Sequence, residues 1–172
     1  MTHARNHVIL VPSVAFVPSV PCLETVRTKP KTAMPHSLET ILRDTLAQFH
    51  SETGTIHRLE APTQLLHLVA HIGLPPHLID IVKTIPVGKG IAGETVAKNR
   101  PVTICNLQTD TTGVARPAAK QTGVGGAICV PIRSGGKIIG AFGIGTVREH
   151  EYSAAEINAL QEIATSVASQ LG

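Results

Sequence analysis

The order of predicted elements between Gly88 and Leu171 constrains the fold of this chain more than any other feature. A glycine-spaced helix start comes first, followed by a short apolar strand over 101–106 and a polar loop. Two longer apolar strands follow, over 127–132 and 137–146, and a turn with two adjacent glycines connects them. A capped amphipathic helix completes the order. The pattern predicts an antiparallel hairpin with a helix packed against it.

The first half of the chain predicts one long helix and two strands. Apolar side chains recur at helical spacing over 38–49, directly after Ser37, the predicted N-cap. Strands are predicted over 55–60 and 64–72, and the second is apolar on both faces, as a central strand is. A short helix is predicted over 77–83.

The final helix carries the clearest local signal in the sequence. Ser153 and Glu156 have the spacing of a capping box, in which each side chain accepts a hydrogen bond from the other residue's backbone N–H. One apolar stripe continues from there to Leu171. Ala164 and Ala168 lie on that stripe, and their spacing permits close approach of a second helix.

The element order, with Val130-Pro131-Ile132 before the Gly-Gly turn and a capped helix after it, resembles a GAF domain over about residues 37–171. GAF domains are mostly small-ligand sensor modules. The resemblance implies an α/β (α+β) fold with a central, mostly antiparallel sheet. The N- and C-terminal helices would pack on one face of this sheet, and a ligand-pocket lid would cover the other. We therefore divide the chain into a proline-rich N-terminal extension, 1–35, and a GAF domain, 36–172.

The distribution of charge argues against nucleic-acid binding. The net charge is +3, but residues 1–35 contain four basic side chains and one acidic one, whereas residues 36–172 contain eleven of each. The predicted domain therefore has no basic excess that would bind phosphates. The chain has three phenylalanines and one tyrosine, too few for a base-stacking platform.

The N-terminal segment and the cysteines bear on location. The apolar run over 8–20 is too short to span a membrane, and Pro12 and Pro18 interrupt it. An extended arm is the preferred interpretation and a signal peptide is the alternative. Three scattered cysteines suit a reducing compartment. We expect a cytoplasmic protein with no membrane partner.

Two motifs that could carry chemistry lack the required context. Residues 88–93 match G-x-G-x-x-G, but a dinucleotide site needs a strand directly before the motif, and here Pro86 and a predicted helix precede it. The resemblance implies instead a tight turn into a helix over 91–98. His67 and His71 lie on one predicted strand, where their spacing would put them on one face about 14 Å apart. His57 could face one of these histidines across a hairpin, which would allow a haem or metal site. We favour solvated histidines and predict no metal. The sequence identifies no cofactor.

The strand over 137–146 alternates between large and small side chains. The two predicted faces carry Ile138, Gly140, Phe142 and Ile144 on one side, and Ile139, Ala141, Gly143 and Gly145 on the other. Glycine within a strand marks close approach by backbone, helix or ligand. Two interpretations stay open: a helix pressed on the strand, or space for a ligand.

The polar loop over 107–125 is the predicted lid, because loops on rigid scaffolds commonly carry binding groups. We expect no catalytic residue. The candidate ligand-binding residues, from the loop and the elements beside it, are Ile91, Asn106, Thr109, Asp110, Thr111, Arg116, Gln121 and Cys129.

The leading hypothesis is a stand-alone sensor that binds a small molecule under the lid. It would signal through its terminal helices, 37–50 and 153–171, as a homodimer or to a separate signalling protein. One alternative is a redox enzyme like the free methionine-R-sulfoxide reductases, using Cys105 or Cys129. That family places one cysteine in the helix start, where this chain has Ala92, and another in the lid loop, which here has none. A ligand-free dimerisation scaffold is the other alternative.

Overall fold

The structure is a computed structural model that describes residues 37–111, 113, 121 and 123–172. The N-terminal extension and Arg116 lie outside these residues. The described residues form a mixed α/β fold of four helices and six strands. In chain order they are α1 (Leu38–Gln48), β1 (Thr53–Glu60), β2 (Leu65–Ile72), α2 (Pro76–Val82), β3 (Thr84–Pro86), α3 (Gly90–Lys98), β4 (Val102–Ile104), β5 (Ala127–Ser134), β6 (Lys137–Gly145) and α4 (Ala154–Leu171).

The six strands form one antiparallel sheet in the order β3-β2-β1-β6-β5-β4. The last strand of the sequence, β6, therefore lies at the centre, between β1 and β5. The β5–β6 turn places Gly135 and Gly136 at φ values of 55° and 78°, which two-residue hairpin turns require and which glycine adopts without strain. The predicted hairpin and the mostly antiparallel sheet are both confirmed.

Two apolar layers lie on opposite faces of the sheet. On one face α1 and α4 cover a large core that includes Leu42, Ile56, Phe142 and Leu160. On the other face α3 packs over a smaller cluster around Leu66. The prediction that both terminal helices share one face is confirmed.

The two terminal helices begin as their sequences predict. The Ser153 hydroxyl accepts from the Glu156 backbone N–H at 3.3 Å, and the Glu156 carboxylate accepts from the Ser153 N–H at 2.8 Å. These Ser153 groups, the hydroxyl first, lower the pKa of Glu156. Ser37 caps α1 by accepting from the Thr40 N–H at 3.3 Å. No helix in the described part of the chain is long and apolar enough to cross a membrane.

A β-bulge changes the predicted faces of β6. Ile132 pairs with Gly140 and Arg133 with Ile138, so Ile139 is an extra residue in the ladder. Beyond it the alternation reverses: Ile138 packs with the α3 cluster and Ile139 with the α1–α4 core. The predicted faces are therefore correct from Gly140 onward and wrong for the two isoleucines.

Two further expectations need correction. The three-residue strand β3 was not predicted, and it places a strand rather than a helix directly before the glycine-spaced turn. Because β3 pairs antiparallel with β2, no parallel βαβ unit forms around the motif. Ala164 and Ala168 are both buried in the chain's own core, so their spacing packs α4 within this molecule.

Gly140 tests how closely the central strands pack. A Cβ at this position would overlap the backbone carbonyl oxygen of His57 on β1, and a backbone atom cannot move aside cheaply. We expect Gly140→Ala to lower the free energy of unfolding by about 1–3 kcal/mol, as overpacking does. Urea denaturation would measure the change. Gly143→Ala is the matched control, since its Cβ would lie 3.3 Å from Thr55 Oγ1 and 3.6 Å from Cys129 Sγ. Equal losses in both variants would contradict this account.

Candidate ligand cavity

A cavity of about 180 Å³ lies over the centre of the sheet, on the face opposite α1 and α4. Its floor contains Gly143 and Gly145 of β6, which contribute no side chains. The β-ladder places Thr55, Gly143 and Cys129 in one row across β1, β6 and β5. At Gly143 the small face of β6 therefore opens space, as one of the two sequence interpretations proposed. At Gly145 a Cβ would instead meet the side chains of Val124 and Thr53 at 2.8 and 2.9 Å. Glycine is required at position 140 for a different reason, because the backbone of β1 approaches it too closely for a side chain.

The roof of the cavity is built mainly by the start of α3. Gly90, Ile91 and Ala92 line it, together with side chains from α2, β3 and the two ends of the lid loop, Leu107 and Val124. The glycine motif makes a tight turn, because the Gly88 N–H donates to the Gly93 carbonyl at 2.9 Å. This geometry agrees with the turn that the resemblance implied for residues 88–93.

The far end of α3 is fixed to the sheet by Arg133. Its guanidinium donates to the Asn99 side-chain and backbone oxygens at 3.0 and 2.8 Å. Asn99 ends the helix in the left-handed conformation, with φ of 49°. The roof is therefore attached to the sheet at both ends of the helix.

His57 is the most unusual polar residue of the cavity. It is 2% exposed, so the expectation that the histidines are solvated is wrong at this position. Its Nε2 lies 3.0 Å from the Val82 carbonyl oxygen, and within the described residues its buried Nδ1 has no hydrogen-bond partner. Burial lowers the pKa of His57 to about 4, although the Val82 hydrogen bond acts in the opposite direction. The ring is therefore neutral at pH 7.

The chemistry of the Val82 contact assigns the tautomer of His57. A carbonyl oxygen only accepts, so Nε2 must carry the single proton of the neutral ring. Nδ1 is then a lone-pair acceptor. This leaves one fully buried acceptor, in a residue that lines the cavity, unsatisfied within the described chain.

His67 and His71, both in the described part of the chain, do not join His57. His57 pairs with Leu68 and Ala141, whereas His67 is opposite Arg58 and lies 3.3 Å from Glu60. A second bulge, in which Val69 is the extra residue, changes the alternation of β2. Leu66 and Ala70, also four apart, consequently pack in opposite cores, and the same reversal turns His67 and His71 to opposite faces. No group of three metal-ligating side chains occurs among the described residues.

Cys129 contributes a thiol to the cavity floor. The residue is 3% exposed, and burial raises the pKa of the Cys129 thiol to about 12. It is therefore protonated at pH 7, and a thiol is a weak nucleophile compared with a thiolate. Cys105 is exposed and does not belong to the described lining.

The candidate residues from the sequence fall into four groups. Ile91 and Cys129 line the cavity. Asn106 organises the start of the loop: its Oδ1 accepts from the Gln108 and Thr109 N–H groups, and its amide donates to Glu149. The described lining contains none of the remaining described candidates, which are Thr109, Asp110, Thr111 and Gln121. Arg116 lies outside the described residues, and the binding roles of the loop stay predictions.

Sequence reasoning missed the β1 side of the cavity, where Thr53, Thr55 and His57 line the floor. The alternation of residues along β1 could have indicated which side chains share a face with the small residues of β6. Using it required knowing that β1 pairs with β6, and these two strands are far apart in the sequence.

Comparison with known proteins identifies the family. The sequence model of the GAF domain matches residues 33–171, most of the chain. The chain therefore belongs to the GAF domain family. No curated protein sequence matches it.

Solved structures share the fold at low sequence identity. The chain is similar to the GAF domain of Acinetobacter phosphoenolpyruvate-protein phosphotransferase, with 16% identity, a TM-score of 0.66, and coverage of 82% of this chain and 84% of that one. It is also similar to free methionine-R-sulfoxide reductase from Neisseria meningitidis, solved with its substrate. The identity is 18% and the TM-score 0.65, and the match covers 78% of this chain and 75% of that one. A third similar structure is a domain from Sinorhizobium meliloti 1021, described as part of a two-component sensor histidine kinase. The identity is 18% and the TM-score 0.62, and the match covers 81% of this chain and 92% of that one. These likenesses show the fold alone.

Burial of neutral His57 predicts a specific dependence of stability on pH. Its folded pKa of about 4 lies below the ordinary 6.5, so the unfolded chain binds the proton first as the pH falls. The contribution of His57 is complete above pH 6.5 and declines between pH 6.5 and 4, by about 3 kcal/mol in total. Urea denaturation at several pH values would measure it.

His57→Phe is the control for this pH effect, because phenylalanine does not titrate. We expect the difference in unfolding free energy between wild type and His57→Phe to fall by about 3 kcal/mol from pH 7 to pH 4. Parallel pH curves for the two proteins would contradict a buried neutral His57.

Proposed function

We propose that this chain is a sensor that binds a small molecule in the cavity over β6 and transmits its occupancy through the sheet to α1 and α4. The observation that carries the proposal is the cavity itself, whose floor lacks a side chain at Gly143. Protein interiors are close-packed and contain few spaces larger than a water molecule, so a space of this size over the sheet needs a reason. Ligand binding gives one.

The cavity volume indicates the size of the ligand. An apolar cavity of about 150 Å³ is large enough to bind benzene, and the space over β6 is about 180 Å³. Its walls are mainly apolar, with Ile85, Ile91 and Leu107 among them. A molecule of roughly one ring, or a short branched chain, would therefore bury most of its surface there.

The strands of the floor offer a direct route for transmission. On β6, Gly143 lines the cavity, while its neighbours Phe142 and Ile144 point to the core under α1 and α4. On β1, Thr55 and His57 line the cavity, while Ile56 between them packs in the core under α1 and α4. A ligand that shifts the floor would therefore change the packing of the terminal helices one residue away. This coupling between two sites is what a sensor requires.

The output partners belong to the same proposal. We propose that the helices over 37–50 and 153–171 pair with a second copy or contact a separate signalling protein in the cytoplasm. The outward-facing side chains of α1 and α4 include Glu39, Arg43, Asn158 and Glu162, all exposed. Such an interface would rely on hydrogen bonds and charges rather than on an apolar stripe.

Gly143→Leu tests whether the cavity is the binding site. The leucine side chain would enter the cavity from its floor, so we expect the variant to lose a molecule that wild type retains. Native mass spectrometry of both proteins, purified from their own source and compared before and after denaturation, measures the retained mass and the subunit number. Thr103→Leu is the matched control, because Thr103 is exposed on β4. Thermal unfolding checks that each variant folds.

Equal retention of the molecule by Gly143→Leu and wild type would contradict binding at this site. A wild-type dimer that retains no small molecule would favour the ligand-free scaffold instead.

The second candidate is a thiol-dependent reductase, and the position of Cys129 in the cavity is the observation that favours it. The high pKa of its buried thiol argues against this activity, since a nucleophile of this type must be ionised. We therefore expect no reduction of free methionine sulfoxide in a coupled thiol assay at pH 7. Turnover that Cys129→Ser or Cys105→Ser abolishes would establish the reductase and contradict the sensor proposal.

A further inference from the structure

We infer that residues 146–152, which join β6 to α4, form a strap that carries a displacement at the mouth of the cavity to the start of α4. The mouth is formed by Leu107 and Val124, the two ends of the lid loop that line the cavity. The inference rests on the proposed function, because it gives an occupied cavity a second route to α4 besides the core of the sheet. Among the described residues, none of the strap lines the cavity, so this route can be cut without altering the binding site.

The second end of the lid loop is hydrogen-bonded to the strap through backbone groups. The Gly125 N–H donates to the Thr146 carbonyl at 2.7 Å, and the Gly126 N–H donates to the Arg148 carbonyl at 2.9 Å. A Cβ on Gly125 would lie 2.6 Å from the backbone carbonyl carbon of Arg148. A Cβ on Gly126 would lie 2.8 Å from the Cβ of His150. The loop end and the strap are therefore in direct contact, and neither can move toward the other without displacing it.

The first end of the lid loop has its own links to the strap. The Cys105 carbonyl, two residues before Leu107, accepts from the His150 N–H at 3.1 Å. The Asn106 side-chain amide donates to the Glu149 carboxylate. Both sides of the mouth are thus attached to the same few residues of the strap.

His150 connects the strap to α4 through its side chain. Its Nε2 lies 2.8 Å from Oε1 of Glu156, while the other carboxylate oxygen of Glu156 accepts from the Ser153 N–H at 2.8 Å. The strap and the capping box of α4 therefore share one carboxylate. The His150 ring also contacts the Tyr152 ring edge-on, with the centroids 4.5 Å apart, and Tyr152 is buried in the core under α1 and α4. A movement of His150 reaches the start of α4 at both points.

The beginning of the strap is fixed to the sheet. The Val147 N–H donates to the carboxylate of Glu52, the residue directly before β1, at 2.9 Å. A displacement at the mouth consequently moves residues 148–150 and is passed on to Glu156, since the strap is not a free loop that could absorb it. Hydrogen bonds and packed side chains that form such a continuous chain carry coupling between sites.

Gly126→Ala tests the strap without any ligand, because the new Cβ must displace His150. We expect it to shift the backbone amide signals of residues 153–157 in ¹H–¹⁵N spectra of the full chain. In the double variant Gly126→Ala/His150→Ala, these signals should stay where His150→Ala alone places them, because the side-chain link to α4 is missing. If Gly126→Ala does not fold, Glu149→Ala replaces it in the series, since it removes an exposed contact of the strap with Asn106.

Two further variants identify the His150 side chain as the link. His150→Gln places an amide donor near the position of Nε2, so it should restore the shift that His150→Ala removes. His67→Ala is the matched control, because His67 also lies beside a surface glutamate, 3.3 Å from Glu60, but outside the strap. It should leave the effect of Gly126→Ala unchanged. A shift of the 153–157 signals that persists in the His150→Ala background, or no shift in the first place, would overturn the inference.

Benzene is the probe that separates this inference from the proposed function, since an apolar cavity of about 150 Å³ binds it. The amide signals of Leu107 and Gly143 report binding in the cavity, and those of residues 153–157 report transmission. We expect wild type to respond in both places and His150→Ala to respond only at the cavity. Equal responses of residues 153–157 in the two proteins would overturn the strap and leave the binding site in place. If the cavity signals do not respond, but Gly126→Ala still acts through His150, the proposed binding site is overturned and the strap is supported.

Discussion

The absence of side chains on one face of the central strand is the constraint on which the rest of this structure depends. Gly143 leaves the middle of the sheet without a side chain, and the start of α3 lines the space above it without filling it. Each glycine within a strand costs stability, roughly 0.5–1 kcal/mol relative to alanine. The opposite face of the same strand offsets that cost, because Phe142 and Ile144 are buried under α1 and α4. One strand thereby separates a well-packed core from a cavity.

This division assigns different tasks to the two faces of the sheet. The terminal helices stabilise the fold through a continuous apolar core, and the cavity face contributes a smaller cluster around Leu66, Cys129 and Ala141. His57 links the two sides of the cavity, since its backbone belongs to the sheet and its ring contacts Val82 at the end of α2. The buried imidazole therefore fixes α2 to the sheet at the wall of the cavity.

The features that sequence reasoning predicted correctly are those that depend on local patterns. The capping box of Ser153 and Glu156, the Gly135-Gly136 hairpin turn and the helical stripes are each contained within a few turns of chain. The features that it missed depend on pairing between distant segments. Bulges at Val69 and Ile139 reverse the alternation of two strands, and they changed the predicted faces of the histidines and of β6. β3 is only three residues long, and it exists because β2 offers it a partner.

The candidate site was predictable in part for the same reason. The sequence identified the small face of β6, Ile91 and Cys129, which line the cavity through local alternation and the glycine-spaced helix start. It could not identify His57, because the burial of that ring depends on the register of β1 with β6 and on the position of α2. A histidine in a strand is usually solvated, and only the three-dimensional arrangement reverses that expectation. The buried histidine of the cavity wall was therefore a residue that no local pattern marked.

A crystal structure of the protein purified from its own source tests the central claim most directly. The account predicts electron density for a small molecule above Gly143, between β6 and the start of α3. A cavity filled by the chain's own side chains, or a ligand bound elsewhere with the floor of β6 vacant, would contradict it.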